Sequence, residues 1–280
     1  MVSPNRKKHQ TIKGVLMVVI VFMAIFPFIF FSTTEVEISE GVVSNVPKKP
    51  AKPEVEKPKH NVELPKFSKI SDVKQRKQQF FNFLAPSVDK ENERLQQLRN
   101  SLIAKQELLL KGDKLASEQI AVIENLAKLY KVKSSLSFSK KLDTLLKRVD
   151  VIPRELVLVQ AANESAWGTS RFARIGLNFF GMWCYRKGCG LIPGSRDAGL
   201  KHEVAAYQSL DEMVSKYIHN LNTNAAYGLL RIIRADLRKN NQPLRANVLA
   251  TGLLPYSERG FDYVIELNTM LRHNHNYIKS

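Results

Sequence analysis

The chain has 280 residues, 44% hydrophobic and 25% charged, so it can bury a core without help from metals or disulfides. Its 43 Lys and Arg against 26 Asp and Glu give a formal charge of +17, which favours polyanionic partners such as nucleic acid, anionic lipid or an acidic wall polymer. Nucleic acid is disfavoured: there is no zinc-finger spacing, no aromatic RNA-binding motif and no basic helix running into heptads.

Arg6, Lys7, Lys8 and Lys13 precede an uncharged apolar run from Val15 to Phe31, and Glu35, Glu37 and Glu40 follow it. About 17 apolar residues can cross a hydrocarbon core of about 30 Å. The basic flank then stays cytoplasmic and the rest is exported. We expect residues 1–34 to be a cytoplasmic tail and single-pass inner-membrane anchor, with a cleaved signal peptide as the competing reading. The remainder would face the periplasm. Residues 35–66 are rich in Pro, Lys and Glu and read as an extended linker.

Helical signals begin at Phe67. Ser71 and Asp72 can cap a helix with Val73, Phe80, Phe81 and Leu84 inward, ending before Pro86. Further helices are expected at about 88–110, from Ser117 (Ile120, Ile123, Leu126, Leu129 and Tyr130 forming its stripe), and at 139–148. Residues 67–135 are expected to form a helical accessory region, whose Lys and Arg coat its surface, and 136–280 a catalytic domain. Residues 154–167 contain LVLVQAA, apolar nearly all round, which marks a central buried helix between Pro153 and Gly168. From Asn178 to Ala206, glycines and prolines separate short apolar pieces, as in a small two- or three-stranded β-hairpin lobe. Helices resume at 209–222, where SLDE has the form of a capping box, and at 227–239, 246–252 and 260–273.

Cys184 and Cys189, in CYRKGC, would form a local disulfide in an oxidising compartment; two free thiols is the alternative. They lack the further ligands that a metal site needs, so no metal is expected. No nucleotide loop, HExxH or serine elbow occurs, and no cofactor is inferred.

The sharpest feature is Glu164, near the end of the apolar helix. Partial burial and the negative helix pole both oppose its ionisation, as a general acid at neutral pH requires. A structural Glu paired with Arg171 or Arg174 is the plain alternative. Trp167, three residues on, offers an apolar wall or a platform for a sugar ring.

QAANESAWGTSRFA followed by GLNFFGMWC resembles the glucosaminidase family of peptidoglycan hydrolases, whose signature reads roughly A-x-x-E-S-x-W-G-x-S and then N-L-F-G-x-K. The match spans Ala161 to Gly181, with Phe179 replacing Leu. The resemblance implies a mainly α, lysozyme-like α+β fold with a cleft between a helical domain and the β-lobe. It implies hydrolysis of β-1,4 bonds in peptidoglycan glycan strands, of the endo-β-N-acetylglucosaminidase type, with Glu164 catalytic. The family's Y-A-T-D-x-x-Y motif resembles YSERGFDY from Tyr256 to Tyr263, although Glu258 and Arg259 replace its Thr-Asp pair and the second Tyr comes one residue late. Tyr256 is then a catalytic candidate that positions an acetamido group or water. Asn178, Trp183, Trp167 and Tyr263 are candidate substrate contacts, although packing of the last helix is an equal role for Tyr263. A second carboxylate would be Glu203 or Asp197; a route through the substrate's own N-acetyl group needs neither. Lytic transglycosylase chemistry and a non-catalytic wall-binding scaffold are the alternative functions.

Overall fold

The computed structural model describes residues 56–194, 196 and 199–278. The apolar run at 15–31, most of the linker and Asp197 lie outside the described residues. Among those described, no helix is long and apolar enough to cross a membrane. The chain is mainly α, with helices α1 (Val73–Leu110), α2 (Ser117–Leu129), α3 (Phe138–Arg148), α4 (Arg154–Glu164), α5 (Arg171–Gly176), α6 (Leu210–Thr223), α7 (Gly228–Lys239), α8 (Ala246–Ala250) and α9 (Phe261–Ile278). Strands β1 (Trp183–Cys184), β2 (Gly190–Leu191) and β3 (Glu203–Ala205) lie between α5 and α6.

The two helices expected on either side of Pro86 are one helix, α1, capped by the Asp72 carboxylate accepting the Gln75 amide at 2.6 Å. An interior proline costs about 3 kcal/mol, in part because the carbonyl four residues back loses its donor. Here both Pro86 and Asn82 are exposed, so that carbonyl belongs to the wetted face. The inward face carries Phe80, Phe81, Leu84, Val88, Leu95 and Leu102, all buried. Each large side chain contributes about 1.5–3 kcal/mol, so burial on both sides of Pro86 outweighs the break. Along this face α1 packs against α3, α4, α6 and α9.

The stripe expected on α2 is also narrower than its sequence suggested. Ile123, Ala127 and Tyr130 are buried, while Ile120 and Leu129 are exposed, because α2 packs mainly on α3 alone. By contrast every residue from Leu156 to Ala162 of α4 is fully buried, against α1, α8 and α9. Beyond residues 67–135 there are buried basic side chains. Arg234 of α7 is 1% exposed, and its guanidinium donates to the carbonyls of Lys147, Asp150 and Val151, at the junction that leads into α4. Asp150, itself buried, faces Arg99, Arg234 and Arg238. Burial of Arg234 without such partners would be prohibitive.

The β-lobe is a three-stranded antiparallel sheet in the order β1-β3-β2. Cys184 stands opposite Glu203, and Gly190 opposite Ala205. Gly190 is required there, since an added Cβ would lie 1.9 Å from the Val204 carbonyl. Part of the expected linker, at Glu56, Lys59 and His60, is held against the helices. The Lys59 amide donates to the Ile175 carbonyl at 2.8 Å, the buried His60 ring meets the Arg174 carbonyl at 3.0 Å, and Glu56 forms a two-pronged pair with Arg171. Ser209 caps α6, although the Glu212 carboxylate takes the amide of Gln208 rather than that of Ser209. At the C-terminal end α9 runs past the expected His273 to Ile278, whose side chain is buried and whose carbonyl accepts from Arg154.

Candidate active site

Glu164 is the last residue of α4, and the turn that follows explains why the helix stops there. The Ser165 hydroxyl donates to the Ala161 carbonyl at 2.6 Å and accepts the Gly168 amide at 2.8 Å. Ala166, Trp167 and Gly168 then all have positive φ (49°, 59° and 76°). Such a run is costly for residues with a Cβ and holds only when its surroundings fix it. They do: Trp167 packs edge-on against Phe80 and Phe81 of α1, with ring centroids 5.5 and 5.4 Å away, and Lys77 Nζ lies 5.3 Å over its ring. The indole of Trp167 is thus partly buried and packed against α1, a partner the sequence offered no way to see.

The carboxyl of Glu164 is half-buried, and burial is the main cause that pushes its pKa above the usual carboxylate range. Nearby Glu266 adds to the rise; hydrogen bonds from Tyr263 and Asn163 and the Arg259 charge act against it. Tyr263, buried on α9, donates its hydroxyl to Glu164 Oε1 at 2.8 Å. That hydroxyl accepts from Gln160 Nε2 at 2.9 Å, and Gln160 Oε1 accepts from the Tyr217 hydroxyl of α6. The result is a directed chain, Tyr217 to Gln160 to Tyr263 to Glu164, whose first two members are fully buried. Burial raises both phenols well above their ordinary pKa, so they stay protonated as donors. Neither Arg171 nor Arg174 pairs with Glu164: Arg171 holds Glu56, and Arg174 Nε donates to the Thr169 carbonyl.

Tyr256 stacks on Tyr263 with centroids 5.6 Å apart and planes 3° from parallel, and its hydroxyl donates to the Phe180 carbonyl at 2.7 Å. Phe180 in turn stacks on Tyr217 at 3.7 Å. Tyr256 thus joins the wall around Glu164 and holds the strand that leads to Gly181. Gly181 has φ +64°, and an added Cβ would lie 3.9 Å from Glu164 Oε2, so this glycine sets bare backbone beside that oxygen.

Two other candidates have structural duties. Asn178 is 2% exposed; its amide donates to the carbonyls of Met182 and Ala205, and its oxygen accepts the amides of Phe180 and Met182. All four of its hydrogen-bonding positions are filled, so it clamps the lobe to the helices and has none left for substrate. Glu203 is 5% exposed, and its two oxygens accept the amides of Gly188 and Gly190 at 2.9 and 2.8 Å. Those bonds hold its pKa below the usual range. It anchors the Cys184–Cys189 loop, closed here by a disulfide, with one loop amide on each carboxylate oxygen. The two sulfurs and Glu203 lie close together, but a disulfide offers no thiolate to a metal. Trp183 is 57% exposed on β1, with one face stacked on His202 at 4.3 Å.

Sequence reasoning missed Gln160, Tyr217 and Asn163. A signal existed for the first: Gln160 is the only polar residue within LVLVQAA and stands four residues before Glu164, on the same helix face.

A model of the glucosaminidase family, described as mannosyl-glycoprotein endo-beta-N-acetylglucosaminidase, matches residues 139–275. The chain is 37% identical over 216 residues to the protein Bax of Escherichia coli (strain K12), covering 77% of this chain and 76% of that protein. No solved structure matches significantly.

Proposed function

The chain belongs to the glucosaminidase family, and from that membership and the surroundings of Glu164 we propose that it is a peptidoglycan hydrolase. It cuts the β-1,4 bond on the N-acetylglucosamine side of glycan strands, within a lysozyme-like arrangement of helical domain and β-lobe. The observation that carries this reading is Glu164 itself: a carboxyl at the end of a buried helix, raised by burial, with Oε1 held by a tyrosine and Oε2 beside a glycine. Protonated Glu164 gives its proton to the leaving glycosidic oxygen while positive charge develops at the anomeric carbon. The carboxylate left behind accepts from Tyr263, whose own proton is held by burial.

The role of base or nucleophile does not fall to Glu203, which the loop amides occupy. That favours the route in which the substrate's own N-acetyl oxygen attacks the anomeric carbon as the leaving oxygen takes the Glu164 proton, and water then opens the oxazoline, so that two inversions retain the configuration. The exposed face of Trp183 gives a sugar ring a stacking surface at the lobe. We further propose that the run at 15–31 anchors the chain in the inner membrane and that residues 56–278 lie on its outer, periplasmic side. The disulfide fits such an oxidising compartment. Protease treatment of intact spheroplasts tests this placement: residues after the run should be digested, and protection of them would oppose it. The reaction is tested by digesting purified wall and measuring new reducing N-acetylglucosamine ends, which Glu164→Gln should abolish.

A further inference from the structure

A pocket of about 410 Å³ opens at the C-terminal turn of α4, with Lys77, Asn163, Trp167, Glu266, His273 and Asn274 in its wall. That volume is within the range of small-ligand sites, about 300–1,000 Å³. It adjoins the reacting group: Asn163 hydrogen-bonds the Glu164 carboxyl, and Glu266 acts on the charge of that carboxyl. It is also built jointly. Lys77 comes from α1, which precedes the residues matched by the family, whereas the other five belong to α4, the turn after it and α9.

The chemistry of the wall narrows the occupant. A sugar ring wants an open aromatic face, and Lys77 Nζ lies over the ring of the half-buried Trp167 indole while Phe80 and Phe81 meet it edge-on. What the pocket offers instead is one ammonium, one carboxylate, one imidazole and two carboxamides. Asn274 is 2% exposed; its amide nitrogen donates to the Met270 carbonyl, yet its Oδ1 has no hydrogen-bond partner among the described residues. A buried acceptor left unmatched is costly, and an amide N–H would satisfy it. Carboxylates, an ammonium and amide N–H groups occur together in the peptide stems of peptidoglycan, whereas its N-acetyl sugars share the amide N–H but carry no ammonium to meet Glu266.

We propose that this pocket binds the peptide stem carried by a sugar next to the cleaved bond, with Lys77 pairing a stem carboxylate and Asn274 accepting a stem amide. The proposal rests on the hydrolase reading above and gives α1 a part in substrate choice. The full-length Glu164→Gln protein, which should bind without turnover, is titrated with glycan fragments that carry stems and with the same fragments stripped by an amidase. The stem-bearing fragment should bind about tenfold more tightly or better. Lys77→Ala should reduce it to the affinity of the stripped fragment, and Lys77→Arg should restore the preference, with thermal melting used to verify that both variants are folded. Equal binding of the two fragments, or a preference indifferent to Lys77, overturns the proposal. Failure of the hydrolase reading is distinguished by wild-type protein that turns over neither fragment, and it removes this proposal as well.

Discussion

The Tyr263 hydroxyl donates to Glu164 Oε1 across 99 positions of sequence, and it is the last donor in a chain that begins at Tyr217. Glu164 is thereby subject to two opposed influences. Burial disfavours its charge, and the phenol favours it. A general acid needs both, since it must hold a proton near neutrality and then tolerate losing it.

Tyr263→Phe separates the two influences. Without the donor, the Glu164 pKa rises further, so the carboxyl stays protonated to higher pH. The alkaline limb of the kcat/KM profile should move upward in pH while kcat falls about 10- to 100-fold, the scale of a hydrogen bond to a charged group. A profile that shifts downward, or an unaltered kcat, would contradict the role given to Tyr263.

Glu164→Gln should stabilise the fold while it removes activity. A carboxyl whose folded pKa is raised binds more protons folded than unfolded at intermediate pH, so wild-type stability falls as pH rises through that range. The Gln variant avoids the penalty and still offers an oxygen to Tyr263. Its gain should be of order 1 kcal/mol near pH 7, roughly 2–4 °C in Tm, and should vanish below the ordinary carboxyl pKa. Thermal melts across pH measure it.

Glu203 behaves in the opposite sense. Its pKa is lowered by the Gly188 and Gly190 amides, so its contribution is present above the ordinary carboxyl pKa and is lost as pH falls through the lowered one. The protection factors of those two amides, taken against the intrinsic exchange rate at each pH, should fall in acid and in Glu203→Gln. That variant should keep at least about a tenth of wild-type turnover, because the residue only holds the loop. Loss of activity as complete as in Glu164→Gln would return Glu203 to the chemistry.

Gly168→Ala tests the turn that presents Glu164. Its φ of +76° is unfavourable for alanine, and the new Cβ would lie 2.6 Å from the Phe67 ring. Strain and overpacking together should destabilise the fold by about 2–5 kcal/mol, seen as a lower denaturation midpoint.

What the sequence disclosed was local or periodic. LVLVQAA announced a buried helix because no face of it is polar, and Glu164 stood out because a carboxylate ends that helix. The turns around Gly188 and Gly190 marked a small lobe. What it hid depended on partners distant in the chain. Pro86 looked like a helix end because proline's local cost is legible and the burial of Phe80, Leu84 and Val88 against other helices is not. Trp167 and Asn178 looked like substrate contacts because polar and aromatic residues beside a catalytic motif suggest binding. Only the fold shows their hydrogen bonds and ring contacts already taken, by Phe80 and Phe81 in one case and by Met182 and Ala205 in the other. Gln160 was visible as a polar interruption, but Tyr217, its donor, stands 57 residues away on another helix.

The central claim is most directly tested by mass spectrometry of purified wall after digestion with the wild-type protein and with Glu164→Gln. The account predicts fragments ending in reducing N-acetylglucosamine with the wild type and none with the variant. Anhydro sugar ends, or equal release of fragments by the two proteins, would contradict it.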